Sequence, residues 1–197
     1  MGTVKSLLLG MCFVLGACTS QTSTVQTTEK GTQWEWQNGT IVVKTPERPA
    51  GQKSVLGLTT PKLEAVRVGF VGLGMRGPGA VERFTYIPGT QVVALCDYEE
   101  ARADKCQELL KKASMPKAAV YSGDKGYEEL CKRDDIDLVY IAADWLHHFP
   151  VAKCALENGK NVAIEVPSAM NLQECWDLIN LSESTRKIGR ASCRERV

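Results

Sequence analysis

The sequence predicts an α/β fold, a doubly wound parallel sheet covered by helices, from three observations. Its short apolar runs lack polar alternation, as strands buried on both faces do. They alternate with helical segments through short connections, the pattern of a parallel sheet. The first of them, Val66-Arg67-Val68-Gly69-Phe70-Val71, runs directly into Gly72-Leu73-Gly74-Met75-Arg76-Gly77.

Taken in order, strands are expected at about 67–72, 91–96, 119–121, 138–142 and 161–165, and helices at about 78–84, 99–113, 125–132, 149–158 and 171–185. Gly159 follows the fourth helical run as a C-terminal cap, and Asn171 with Glu174 three residues on resembles a capping box. Leu172, Cys175, Trp176, Ile179 and Asn180 fall at helical spacing, so Trp176 is expected in the core rather than stacked on a ligand. A doubly wound sheet commonly has six strands, whereas five precede the last helix.

The glycine pattern points to a dinucleotide. Gly72 permits the tight strand-to-helix turn, Gly74 removes a side chain where a phosphate must approach, and Gly77 lets the helix pack on the sheet. The helix start then offers N–H groups and partial positive charge to the anion. The second strand ends at Asp97, 20 residues past Gly77, where a carboxylate reaches the adenosine ribose. Its charge would repel a 2′-phosphate, so NAD is expected over NADP, with Arg102 one helical turn away as the feature that opposes this.

Composition sets outer bounds. The chain of 197 residues is 44% hydrophobic and 24% charged, ordinary for a globular domain. A formal charge of +1, with no basic stripe carrying interleaved aromatics, gives no electrostatic case for nucleic acid. Two adjacent histidines, His147 and His148, are the only ones, so no metal site is expected.

The two ends differ from the middle. Residues 1–18 read as an export signal: Lys5, an apolar stretch too short to span a bilayer comfortably, and then Leu15-Gly16-Ala17-Cys18, which resembles a bacterial lipobox with Cys18 as the lipidated residue. Such a protein is expected outside the cytoplasm, anchored to a bacterial membrane and facing the periplasm or the exterior. Residues 19–60 are expected to form a tether and an extended segment, in which Trp34, Trp36 and Ile41-Val42-Val43 are too apolar for a pure spacer. Residues 61–187 form the expected dinucleotide-binding domain. After Lys187 the arginine-rich segment 188–197 loses all periodicity and is expected to be a non-native tail. Of eight cysteines, Cys12 leaves with the signal, Cys18 is lipidated and Cys193 sits in the tail. Cys96, Cys106, Cys131, Cys154 and Cys175 are expected to be small buried hydrophobes rather than a disulfide scaffold.

Three further motifs carry a resemblance: Val92-Val93-Ala94-Leu95-Cys96-Asp97, Ile141-Ala142-Ala143-Asp144-Trp145-Leu146-His147-His148, and Gly159-Lys160-Asn161-Val162-Ala163-Ile164-Glu165-Val166-Pro167. With the glycine loop they resemble the Gfo/Idh/MocA oxidoreductase family. Met75-Arg76, Trp145-x-x-His148 and Glu165-Val166-Pro167 are most similar to its glycoside hydrolase family 109 branch, the NAD-dependent α-N-acetylgalactosaminidases. The resemblance implies a Rossmann-type domain whose partner, an α+β substrate domain, is missing from this chain. It also implies that Met75, Arg76, Asp97, Trp145, Leu146, His147, His148, Glu165 and Val166 line the cofactor. His147 also fits a simple helix-start residue, Arg76 a solvated arginine, and Glu165 a satisfied strand-end carboxylate.

One departure discriminates within the family, most of whose members carry Glu-Lys-Pro where this chain has Glu165-Val166-Pro167. Loss of that lysine removes a donor to a reacting hydroxyl, so simple alcohol oxidation is disfavoured. The branch resemblance implies a redox-assisted glycosidase acting on a glycan with terminal N-acetylgalactosamine. Transient oxidation at the sugar C3 acidifies the C2 proton; elimination, hydration and return of the hydride follow, and no pair of carboxylates is needed. The tyrosine and histidine that would move protons on the sugar have no counterpart here, so no catalytic residue is assigned. The alternatives are a sugar or cyclitol dehydrogenase of the wider family and an inactive dinucleotide-binding fragment.

Overall fold

The computed structural model describes residues 26–27, 33–44 and 46–192. The expected signal segment, Cys18 and Cys193 lie outside the described residues. The chain divides into two compact units, Met1–Lys44 and Thr45–Val197.

In the first unit, β1 (Gln26–Thr27), β2 (Gln33–Gln37) and β3 (Thr40–Val43) form an antiparallel sheet in that order. Asn38 and Gly39, both at positive φ (50° and 78°), close the β2–β3 hairpin. This hairpin was not foreseen, although Asn-Gly between two short apolar runs is its standard signal, because both residues of the favoured two-residue turn need positive φ. Trp34 and Trp36, two apart and so on one face, meet edge to face at 6.5 Å.

The second unit contains β4 (Val66–Val71), α1 (Gly77–Thr85), β5 (Thr90–Asp97), α2 (Glu100–Lys112), β6 (Ala119–Ser122), α3 (Gly126–Cys131), β7 (Leu138–Ile141), α4 (Trp145–Glu157), β8 (Asn161–Glu165), α5 (Leu172–Thr185) and β9 (Gly189–Ser192). The strands pair in parallel in the order β6-β5-β4-β7-β8-β9, the doubly wound topology expected. Each strand sends alternate residues to opposite layers. Val68 and Phe70 pack with Ala80, Val81, Ala103, Cys106 and Leu110 from α1 and α2. Val71, Val139 and Ile141 pack with Leu130, Val151 and Ala155 from α3 and α4. Phe70, Phe84 and Tyr140 form an aromatic cluster in the first layer, with ring centroids 5.2–5.6 Å apart.

Four expectations are corrected. The sheet has a sixth strand, β9, drawn from the segment read as an aperiodic tail. The Ile188 carbonyl accepts the Val162 N–H at 2.8 Å, and the Ile188 N–H donates to Asn161 Oδ1 at 3.0 Å. This pairing is carried by backbone groups, which every residue type supplies, so it speaks to topology and not to the origin of the tail. The compact unit begins near residue 45 rather than 61, because the buried Glu183 carboxylate holds both Arg48 (2.9 and 3.0 Å) and Gln52 (3.1 Å).

The same contacts turn the buried face of α5. Leu178 and Leu181 pack on the core, Ser182 and Glu183 are buried, and Cys175 and Ile179 are exposed, against the periodic expectation. Trp176 is half-buried. Finally, α4 begins at Trp145, four residues ahead of its expected start near Phe149. Asp144 caps it by accepting the Leu146 and His147 N–H groups, which offsets the break that Pro150 signals in the sequence. The cap at the other end is as expected, with Lys160 N–H on the Ala155 carbonyl at 2.9 Å and Gly159 N–H on that of Leu156 at 3.0 Å.

Candidate functional site at the sheet switch point

β4 and β7 leave the sheet centre in opposite directions, and a crevice opens beyond their C-terminal ends. Gly72 sits at that fork. Its N–H donates to Cys96 O (2.9 Å), and at φ 91° a Cβ would lie 2.3–2.5 Å from the backbone of Ala142 and Ala143. A Cβ on Gly77 would lie 2.2 Å from the Gly72 carbonyl, so this glycine sets how closely α1 approaches the turn. Gly74 is different, since a Cβ there would meet only Arg102 Nη1, at 3.6 Å. The protein does not need glycine at 74 for its own packing; what its bare backbone leaves free is the crevice.

The crevice has a volume of about 1040 Å³. Of the residues singled out in the sequence, Gly72, Gly74, Met75, Arg76, Asp97, Trp145, His147, His148, Glu165 and Val166 line it. Gly77 lies beneath the loop, and Leu146 is exposed on the first turn of α4; neither is a lining residue. Met75 is 93% exposed and Trp145 60%, so both stand at the rim with faces free for a ligand.

Asp97 is buried and organises one end. Its Oδ2 accepts the Leu73 N–H at 2.6 Å, which holds the glycine loop, and its Oδ1 accepts the Glu99 N–H at 3.0 Å and Arg102 Nη1 at 3.2 Å. The four lone-pair positions of a carboxylate leave capacity for a further donor. Arg102 and Arg76 both line the crevice, and no side chain caps the start of α1. Positive charge therefore lines the crevice, and the start of α1, uncapped by any side chain, follows directly on the glycine loop.

At the other end His148 is 1% exposed. Its Nδ1 lies 2.7 Å from the Pro167 carbonyl, which only accepts, so Nδ1 carries the proton. Nε2 is left as a buried lone pair with no partner among the described residues. His147 is instead engaged by its own helix cap, with Nδ1 2.6 Å from Asp144 Oδ2. Burial works against the Asp144 carboxylate, but this bond and the Leu146 and His147 N–H groups outweigh it and lower its pKa. Glu165 Oε1 accepts the Tyr140 hydroxyl at 2.7 Å. Burial first, and then Glu165, push the Tyr140 phenol up to about 12, so it remains a proton donor to that carboxylate at neutral pH. Burial also raises the Cys96 thiol to about 12, which leaves it an inert wall of the crevice.

Sequence reasoning passed over Tyr98, Asp124 and Tyr127 on the wall and Tyr140 behind Glu165. Tyr98 follows Asp97 directly and was within reach of motif reading. Asp124 arrives from the β6–α3 connection and Tyr127 from the first turn of α3, and neither carries a local signal.

A parallel sheet with a glycine turn at its switch point, an acid ending the second strand and a crevice between them defines a dinucleotide-binding domain of the Rossmann class. The chain belongs to the Gfo/Idh/MocA family, whose description, oxidoreductase family with NAD-binding Rossmann fold, matches residues 66–191; the domain is an NAD-binding one. It is similar to glycosyl hydrolase family 109 protein 4 of Phocaeicola vulgatus, 79% identical over 188 residues, 95% of this chain and 36% of that protein. Glycosyl hydrolase family 109 protein 1 of Bacteroides thetaiotaomicron is 57% identical over 185 residues, 93% of this chain and 38% of that protein. The chain thus spans little more than a third of the length of these relatives. In fold it resembles a myo-inositol dehydrogenase from Lactobacillus casei solved with NAD(H) and myo-inositol (TM-score 0.57, 24% identity, covering 65% of this chain and 36% of that one).

Proposed function

We propose that the chain is the NAD-binding part of a redox-assisted glycosidase that removes terminal α-N-acetylgalactosamine from glycans, exported and anchored to a bacterial membrane through Cys18. The observation that carries the glycosidase reading is Val166. It lines the crevice beside Glu165, half-exposed, at the position where most of the wider family has lysine, and it offers a reacting hydroxyl no donor. Likeness to family 109 proteins over 95% of the chain supports the same reading.

The residues present fit NAD. The open space at Gly74 admits a phosphate against backbone, and Arg76, Arg102 and the start of α1 supply its counter-charge. Asp97 retains acceptor capacity for ribose hydroxyls, and its charge favours NAD over NADP. The orphaned Nε2 of His148 would be free to accept a hydrogen bond from bound NAD, and Trp145, Met75 and Val166 line the same crevice. Bound NAD supplies reversible hydride acceptance, which makes the glycosidic bond labile through a transient neighbouring ketone. Glu165, held by Tyr140 through Oε1, lines the same crevice. Proton transfer on the sugar falls to a further domain in this reading.

Calorimetric titration of the chain is expected to give tighter binding of NAD than of NADP; no affinity for either dinucleotide refutes the site. A protein extended to the length of the relatives should release N-acetylgalactosamine from an α-N-acetylgalactosaminide without NADH build-up. Stoichiometric NADH would select a dehydrogenase instead, and turnover by the 197-residue chain alone would contradict the need for a second domain. A Cys18→Ala protein that still fractionates with membranes refutes the lipid anchor. Among the described residues, no helix is long and apolar enough to cross a membrane.

A further inference from the structure

Beyond the C-terminal end of β7 the chain turns over the glycine loop and presents an acid–imidazole pair. The Ala142 N–H donates to the Val71 carbonyl at 2.8 Å, and the backbone of Ala142 and Ala143 lies so close to Gly72 that no Cβ fits between them. Asp144, the next residue, is thereby fixed to the fork of the sheet. Its Oδ1 accepts the Leu146 and His147 N–H groups at 2.9 and 3.3 Å, and its Oδ2 lies 2.6 Å from His147 Nδ1. A carboxylate only accepts, so Nδ1 carries the proton, and Nε2 is a lone pair with no partner among the described residues. Asp144 and His147 both line the crevice, and His147 is half-exposed. An imidazole held in one tautomer by a carboxylate behind it, with its distal nitrogen unclaimed, is equipped to accept a proton and return it.

The same end of the crevice offers no equivalent. His148 is buried with Nδ1 on the Pro167 carbonyl, Glu165 has one oxygen on the Tyr140 hydroxyl, and Val166 is not titratable. Asp97 and Arg102, at the far end, are committed to each other, and Asp97 also to the loop. Imidazole is the side chain whose basicity suits proton exchange near neutral pH.

We propose that His147, oriented by Asp144, is the proton acceptor for the hydroxyl of an alcohol oxidised in this crevice. The inference rests on the redox reading of the site but not on the choice between glycosidase and dehydrogenase, because either oxidation releases a hydroxyl proton together with a hydride. The O–H bond breaks and its proton bonds to Nε2. The oxygen keeps the electron pair and forms the carbonyl, while the carbon gives up its hydrogen as hydride to the oxidised dinucleotide. His147 is then an imidazolium beside the Asp144 carboxylate, and it gives the proton back when the ketone is reduced. The transfers at the sugar C2 and C1 are separate ones, and those fall to a further domain.

With only two histidines, the chain is suited to nitrogen NMR of its imidazoles. At a pH where the rings are neutral, His147 is expected in the Nδ1–H form, opposite to the Nε2–H form that free histidine favours. Asp144→Asn keeps a good helix cap, but its one oxygen is taken by the Leu146 and His147 N–H groups, so its NH2 faces Nδ1. The ring is then expected to change to the Nε2–H form with helix content unchanged. In a protein extended to the length of the relatives, His147→Gln and Asp144→Asn should each lower kcat at least about a hundredfold with KM within about threefold. NADH absorbance in the first turnover should slow in parallel. His147 in the Nε2–H form, or a tautomer indifferent to Asp144→Asn, overturns the proposal, as does His147→Gln turnover within about tenfold of the parent. Failure of the redox reading itself shows elsewhere, as absent dinucleotide affinity in the calorimetric titration, which the tautomer measurement does not touch.

Discussion

Asp97→Asn removes one charge and one acceptor from a buried group that serves the loop and the ligand together. The carboxylate receives Leu73 N–H at 2.6 Å on one oxygen, and Glu99 N–H at 3.0 Å and Arg102 Nη1 at 3.2 Å on the other. An amide has only one acceptor oxygen. If that oxygen faces Leu73, the new NH2 opposes two donors; if it faces Glu99 and Arg102, the NH2 opposes Leu73 across the shortest of the three contacts. Either way a buried donor is stranded, at about 1–3 kcal/mol. Loss of the Arg102 pair adds at most about 1 kcal/mol, because Arg102 is 42% exposed and screened. The expected loss of unfolding free energy is about 2–3 kcal/mol, read as a lower urea midpoint at unchanged slope. NAD affinity is expected to fall by at least about tenfold, since the loop that meets the pyrophosphate loses its anchor. A variant within about 0.5 kcal/mol of the parent in stability and with unchanged NAD affinity would refute the role given to Asp97.

Two glycines separate fold from binding: Gly77→Ala, 2.2 Å from the Gly72 carbonyl, should destabilise by about 3 kcal/mol. Gly74→Ala should leave stability within about 0.5 kcal/mol and still weaken NAD binding at least about tenfold, both read by denaturation and calorimetry. Arg48→Ala leaves the Glu183 carboxylate, 3% exposed, with only Gln52 among its two side-chain donors; a loss of about 1–2 kcal/mol in urea unfolding is expected, discounted because Arg48 is half-exposed. Asp137 is held below the usual carboxylate range chiefly by its hydrogen bond to Arg67, and Asp135 chiefly by that to Arg133. Their depressed folded values mean stabilisation that is fully present above about pH 4 and lost as pH falls through those values. Asp137→Asn should accordingly flatten the fall in stability measured below about pH 4, and an unchanged slope there would count against the pairing.

Legibility followed the range of the interactions. The strands 161–165 and 138–142 and the helix 99–113 were readable to within a residue or two, because unbroken apolar runs and helical spacing are local consequences of burial. The start of α4 was not, since Pro150 speaks against helix locally while the Asp144 cap acts from six residues upstream. The face of α5 was misread for a longer-range reason: Glu183 is buried by Arg48 and Gln52, more than 130 residues earlier in the chain. The Asn38-Gly39 hairpin was legible and overlooked.

The sequence by itself determined the doubly wound class, the glycine turn and the acid after the second strand, because each is a short pattern whose chemistry depends on neighbours in the chain. Only the tertiary structure decided that Asp97 also clamps the loop through Leu73, that His148 keeps a buried lone pair beside the crevice, and that Tyr140 fixes Glu165. These are contacts between separate strands and helices, and their distances are set when the sheet assembles, by packing that no single segment encodes.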